Sequence, residues 1–181
     1  MASKQSKHIG NLRPIDSGDD TFYPPTALAW VSIFIVFLSS LLPWRDWPGS
    51  PDILLLVLAF WCFYNVKGVG LVTAFLFGIV MDVHDTNILG RHALYYILVL
   101  YAIILMRKHM SQFSVFAHFT AVLPVFVLAA IPSRLFESWL AGVWAGWGWL
   151  WSGVITALLW FIADLLFKFF FYQPIDDNTL N

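Results

Sequence analysis

Long apolar runs separated by short polar breaks set the pattern of this chain. After a polar stretch at 1–25, apolar runs occupy about 26–42, 53–64, 69–81, 93–106, 113–131 and 147–172, and a short polar tail follows at 173–181. Each run reads as a helix. Pro43 ends the first. Ser50-Pro51-Asp52 is a helix start, with Ser as N-cap, Pro at the first helical position and an acid near the positive dipole end. Asn65-Val66-Lys67-Gly68 breaks the second run from the third. Pro124 sits inside the fifth, where it removes a backbone donor and is expected to kink the helix.

Composition turns these helices into membrane spans. Hydrophobic residues make up 60% of the 181 and charged residues 12%, against about half and about a quarter in soluble domains. The mean hydropathy is +0.75. A soluble core of this size could not hide so many apolar side chains, so lipid must solvate many of them. The 10 Trp and 17 Phe fit that class, since Trp collects at the headgroup boundary. No basic patch with interleaved aromatics points to nucleic acid. The single cysteine, Cys62, excludes an internal disulfide. The stretch 1–25 lacks a short apolar core followed by a small-residue cleavage site, so it reads as a polar tail rather than a signal peptide.

The distribution of Lys and Arg sets the expected topology. With a turn at 65–68 there are six spans, both termini share one side, and Lys4, Lys7, Arg13, Lys67, Arg107, Lys108 and Lys168 lie with them against Arg45, Arg91 and Arg134 opposite. Merging the second and third runs would erase this bias and leave Lys67 in the membrane, at a cost of a few kcal/mol. The expectation is an all-α integral membrane protein of six transmembrane helices, with both termini cytoplasmic.

Between the third and fourth runs lies a polar knot: Asp82, His84, Asp85, Arg91 and His92. Asp82 closes its helix at the negative dipole end, which disfavours an anion, so it needs a partner; Arg91 and His92 are the nearest cations in sequence. The adjoining spans are short for a bilayer. The second, at twelve residues, rises roughly 18 Å against about 30 Å of hydrocarbon. The knot is therefore expected in a thinned or protein-lined recess. A staple between spans, a partner-docking surface and a ligand or ion site all remain open. Asp82, His84, Asp85 and His92 lack the helical pair spacing of a metal motif, and no nucleophile elbow is present. No catalytic, cofactor-binding or metal residue is assigned.

Other features have structural readings. Arg134 and Glu137 are spaced as a surface helix pair and lead into a Trp-rich segment with Trp139, Trp144, Trp147, Trp149 and Trp151, expected to lie in the headgroups. Asp164 and Lys168 are spaced as an i, i+4 pair. His118 reads as a bundle histidine. Gly68, Gly70, Ala74 and Gly78 form a small-residue stripe for close helix approach.

Gly78 and Asp82, then Leu89-Gly90-Arg91-His92-Ala93-Leu94, Tyr101 and the basic Arg107-Lys108 together resemble the rod-shape-determining MreD family. The turn residues Asp85-Thr86-Asn87 depart from its usual small residues. The resemblance implies a multi-pass protein of the bacterial inner membrane with no enzymatic activity and no cofactor. It implies a scaffold of the rod (elongasome) complex, partnered by MreC and through it by MreB and the glycosyltransferase and transpeptidase of peptidoglycan synthesis. It also implies a fold similar to the substrate-binding subunits of energy-coupling-factor transporters. Gly78, Asp82, Gly90, Arg91 and His92 are the candidate structural or partner-docking residues. The alternative function is a substrate-binding subunit of a vitamin-like transporter, favoured by short, broken spans and buried charge; an intramembrane enzyme is a third reading.

Overall fold

The computed structural model describes residues 26–43, 49–85, 88–110, 115–144 and 146–171. Both polar tails, most of the first linker, Thr86 and Asn87 lie outside them, as do the side chains of His118 and Lys168. The described residues form six helices: α1 Thr26–Ser40, α2 Ile53–Phe63, α3 Leu71–His84, α4 Arg91–Met110, α5 Val115–Ala141 and α6 Gly148–Phe171.

Each helix runs antiparallel to the one before it. Trp61 Nε1 of α2 donates to Ser32 Oγ of α1 at 2.8 Å, while the turn beyond α2 abuts Trp30. Asp82 of α3 meets the start of α4. Tyr95 of α4 donates to the Phe126 carbonyl of α5 at 3.1 Å. Gly153 of α6 lies against Val127, and Phe119 against Phe161. The bundle thus has two ends: one holds Asp52, Asp82 and the start of α4, the other Tyr64, Arg107 and Asp164.

α2 is the central element. It packs against α1, α4 and α6, and eight of its eleven residues are buried, including Leu54, Leu55, Leu58 and Trp61. Eleven residues rise roughly 16 Å, so the dry centre of the bundle is thin. The outward faces of α1 and α3 are apolar and exposed, with Ile35, Phe34, Val72 and Leu76 more than half accessible. Such a surface suits lipid.

The break between the second and third runs is real, and its geometry explains it. Asn65 adopts a left-handed conformation, φ 56°, and the Val66 N–H reaches back to the Trp61 carbonyl at 3.1 Å. This is a Schellman end, which Asn tolerates. Arg107 reinforces it from α4, donating to Asn65 Oδ1 at 2.7 Å and to the Cys62 carbonyl at 3.3 Å.

Three expectations need correction. The fifth run does not stop near 131: α5 continues through Pro132 to Ala141, so the segment carrying Arg134 and Glu137 is the end of that helix. Membrane helices tolerate proline in their interior, and the Ser133 hydroxyl next to it turns back onto its own helix, donating to the Ala130 carbonyl at 2.8 Å. The N-cap of α2 is Asp52 rather than Ser50, because its carboxylate accepts the Leu55 N–H three residues on, at 3.1 Å; Pro51 lies just outside the helix. The small-residue stripe is not one continuous contact. Gly78 meets the backbone of α4, Gly68 meets the Trp30 side chain of α1, and Gly70 is the N-cap of α3 with open space around it.

Candidate functional site

Asp82 lies in the last turn of α3 and is fully buried. Its own helix is a poor place for an anion, and the structure shows what offsets this. The carboxylate points across at the N-terminus of α4, where backbone N–H groups have no partner within their helix. Oδ2 accepts the N–H of Gly90 at 2.8 Å and of Ala93 at 3.3 Å, and Oδ1 accepts the N–H of His92 at 2.8 Å. Asp82 is thus an N-cap supplied by another helix, placed at the positive end of the α4 dipole.

His92 completes the clasp. Its Nδ1 lies 2.9 Å from Asp82 Oδ1. An ionised carboxylate only accepts, so the ring proton sits on Nδ1. Nε2 faces Asp85 Oδ2 at 3.7 Å, and Asp85 Oδ1 lies 3.0 Å from His84 Nδ1. The imidazole therefore stands between two carboxylates, one buried and one at the rim.

Two glycines make this geometry possible. A Cβ on Gly78 would lie 2.4 Å from Ala93 Cα and 2.6 Å from Ala93 N, so only glycine lets α3 press against the first turn of α4. Gly90 takes φ +102°, a region open to glycine, and turns its N–H towards Asp82.

Of the two cations expected near Asp82, the structure brings in His92 and sends Arg91 elsewhere. Arg91 donates to Glu137 of α5 at 3.4 Å, and Arg134 donates to the same carboxylate at 2.9 Å. The expected Arg134–Glu137 pair exists within α5 but is largely shielded, and it is the second contact of Glu137, with Arg91, that joins α5 to α4.

A second buried carboxylate was read from the sequence only as a charge near a helix start. Asp52 accepts from Tyr96 OH, 2.9 Å from both oxygens, and its backbone N–H donates to Thr156 Oγ1 at 3.1 Å. Ser152 Oγ closes on the Ser50 carbonyl at 2.6 Å. This cluster ties α2, α4 and α6 together. Its one signal in the sequence is a tyrosine and a threonine inside otherwise apolar runs. At the opposite end Asp164 is buried and accepts from Tyr64 OH at 2.8 Å, so its established partner is a residue of the turn after α2.

Every one of these carboxylates is held by groups of its own bundle. Asp82 in particular has both oxygens bonded to the frame, which suits a fixed joint and leaves no lone pair aimed at open space for acid–base work. The described helices Phe119–Ala141 and Gly148–Phe167 are long and apolar enough to cross a membrane.

The family model for rod shape-determining protein MreD matches residues 25–170. The chain belongs to the MreD family. MreD proteins are bacterial membrane proteins of the rod-shape system, a shape-determining component rather than a known enzyme family, and membership implies a place in the rod-shape complex. Comparisons with curated proteins and with solved structures returned no match. Of the residues that carry the MreD resemblance in the sequence, Gly78, Asp82, Gly90, His92 and Ala93 meet in the α3–α4 clasp, while Arg91 pairs with Glu137 and Arg107 holds the turn after α2 at the other end.

Proposed function

We propose that this chain is a non-enzymatic scaffold of the rod complex in the inner membrane, built from six spans with both termini in the cytoplasm. In this reading it holds MreC and, through it, helps couple MreB to the glycosyltransferase and transpeptidase of wall synthesis. The observation that carries the reading is the clasp itself. A site built for chemistry keeps a polar group available, whereas Asp82, Gly90 and His92 satisfy one another and lock α3 against α4. A rigid pair of helices with an apolar outer face is what a partner's membrane segment needs to dock on.

The excess of Lys and Arg at the Tyr64 end supports placing that end in the cytoplasm and the clasp on the periplasmic side. A likeness to the substrate-binding subunits of energy-coupling-factor transporters remains an expectation for the fold, and the transporter function draws no support from the family match.

Depletion of the protein in its rod-shaped host tests the role directly. Rounded cells are expected, and rods that persist after depletion would end the proposal. Crosslinking in cells from probes on α3, the clasp and the Trp-rich segment, read by partner mass, should recover MreC. A stably folded Asp82→Arg variant would refute the clasp as a structural joint.

A further inference from the structure

Arg91 opens α4, and Arg134 and Glu137 stand one turn apart near the end of α5. One carboxylate serves both guanidinium groups: Glu137 Oε2 is 2.9 Å from Arg134, and Oε1 is 3.4 Å from Arg91. Each guanidinium carries several N–H donors, so among the described residues donors outnumber the acceptors that reach them. Neither arginine is fully in water, with side-chain exposures of 17% and 21%. The other nearby acids are engaged, Asp82 by α4 and His92, and Asp85 by His84. The first-turn amides of α4 are spent on Asp82, which leaves the arginines as the donors to an incoming group. Ser138 follows Arg134 by four residues, on the same helix face, and its buried hydroxyl has no partner among the described residues.

Depth gives the second argument. Trp139 lies five residues beyond Arg134, roughly 7 Å along the helix, and is 79% exposed. The contact of Gly153 with Val127 sets the α5–α6 register, which brings Trp151, 69% exposed, level with residue 129. Exposed tryptophans therefore bracket the two arginines, and tryptophan marks the headgroup layer. At that depth the abundant acceptor is a lipid phosphate, whose oxygens match the guanidinium fork.

We propose that Arg91 and Arg134 bind the phosphate of an anionic membrane lipid headgroup, with Glu137 as the internal acceptor that competes for them. The site rests on the membrane location of the family and not on the scaffold role or its partners. It needs no particular orientation of the bundle.

The test uses the full chain purified in detergent and measures lipid retained by native mass spectrometry. Phosphatidylglycerol should be retained about fivefold to tenfold over phosphatidylcholine. Arg91→Gln and Arg134→Gln should bring the two lipids level while the thermal midpoint stays within a few degrees. Glu137→Gln removes the competing acceptor and should raise phosphatidylglycerol retention several-fold; this variant decides the matter if the arginine variants fail to fold. A midpoint raised by phosphatidylglycerol but not by inorganic phosphate assigns the site to a lipid, and an equal rise with both supports phosphate chemistry with a soluble source. Equal retention of the two lipids, retention unchanged in the arginine variants, or a loss in Glu137→Gln would overturn the proposal. So would protection by an acidic peptide with none by phosphatidylglycerol.

Discussion

Asp52 and Asp82 are both buried, both lie at the same end of the bundle, and both cap a helix N-terminus. Asp52 caps its own helix, with the Leu55 N–H three residues along the chain. Asp82 caps a helix that begins nine residues later in sequence and runs the opposite way. The local cap needs only the right residue before an apolar run. The remote cap needs α3 and α4 to be packed already, with their backbones close enough for a carboxylate to bridge. That closeness depends on Gly78. The first cap therefore stabilises a helix, and the second stabilises a helix pair.

This difference can be broken by mutation. The largest effect is expected at Asp82. In Asp82→Ala the N–H groups of Gly90 and His92 lose their buried acceptor, at about 1–3 kcal/mol each. The thermal midpoint should fall steeply, and amide exchange at the start of α4 should rise first. Fast exchange confined to α3 would contradict the remote-cap reading. Gly78→Ala comes next. Its methyl would overlap the backbone of Ala93, and overpacking of this kind costs about 1–3 kcal/mol. Here the clashing atoms are main chain and cannot rotate away, so a value at the upper end is expected from unfolding in detergent.

Asp52→Ala should do less damage to the helix pair and more to α2, at about 1–2 kcal/mol for the cap, with further loss from the orphaned Tyr96 hydroxyl. Its signature is faster exchange at Leu55 with the α4 N-terminus still protected. Tyr96→Phe is the mildest change, because Asp52 keeps the Leu55 N–H. Single hydrogen bonds inside membrane proteins are worth roughly 0.6 kcal/mol on average, so a midpoint shift of a few degrees at most is expected. Combining it with Asp52→Ala should give less than the sum of the two, and full additivity would show that the residues are not coupled.

Much of the helical frame was legible in the chain. The apolar runs located all six helices to within a few residues except at the end of α5. The run was ended at Ile131, where Ser133, Arg134 and Glu137 interrupt the apolar pattern, yet the helix goes on through Pro132 to Ala141, since polar side chains do not by themselves stop a helix and membrane helices tolerate proline. The break after α2 was reached from charge placement, and the structure adds the local cause, the left-handed Asn65 held by Arg107. In the knot, Arg91 and His92 were both candidate partners of Asp82, and sequence distance could not separate them, because the partner that draws Arg91 away, Glu137, lies 46 residues off. The Tyr96–Asp52 bond spans 44 residues and was invisible for the same reason.

By itself, then, the sequence determined that this protein is built of apolar helical runs between polar tails, punctuated by a polar knot, and of MreD type. Those properties follow from composition and from short-range patterns of caps, breaks and charges. Only the tertiary structure decided what the knot is. An aspartate at the wrong end of its own helix dipole becomes favourable when a second helix presents its opposite end, and where that end sits depends on backbone packing across Gly78 rather than on any local pattern.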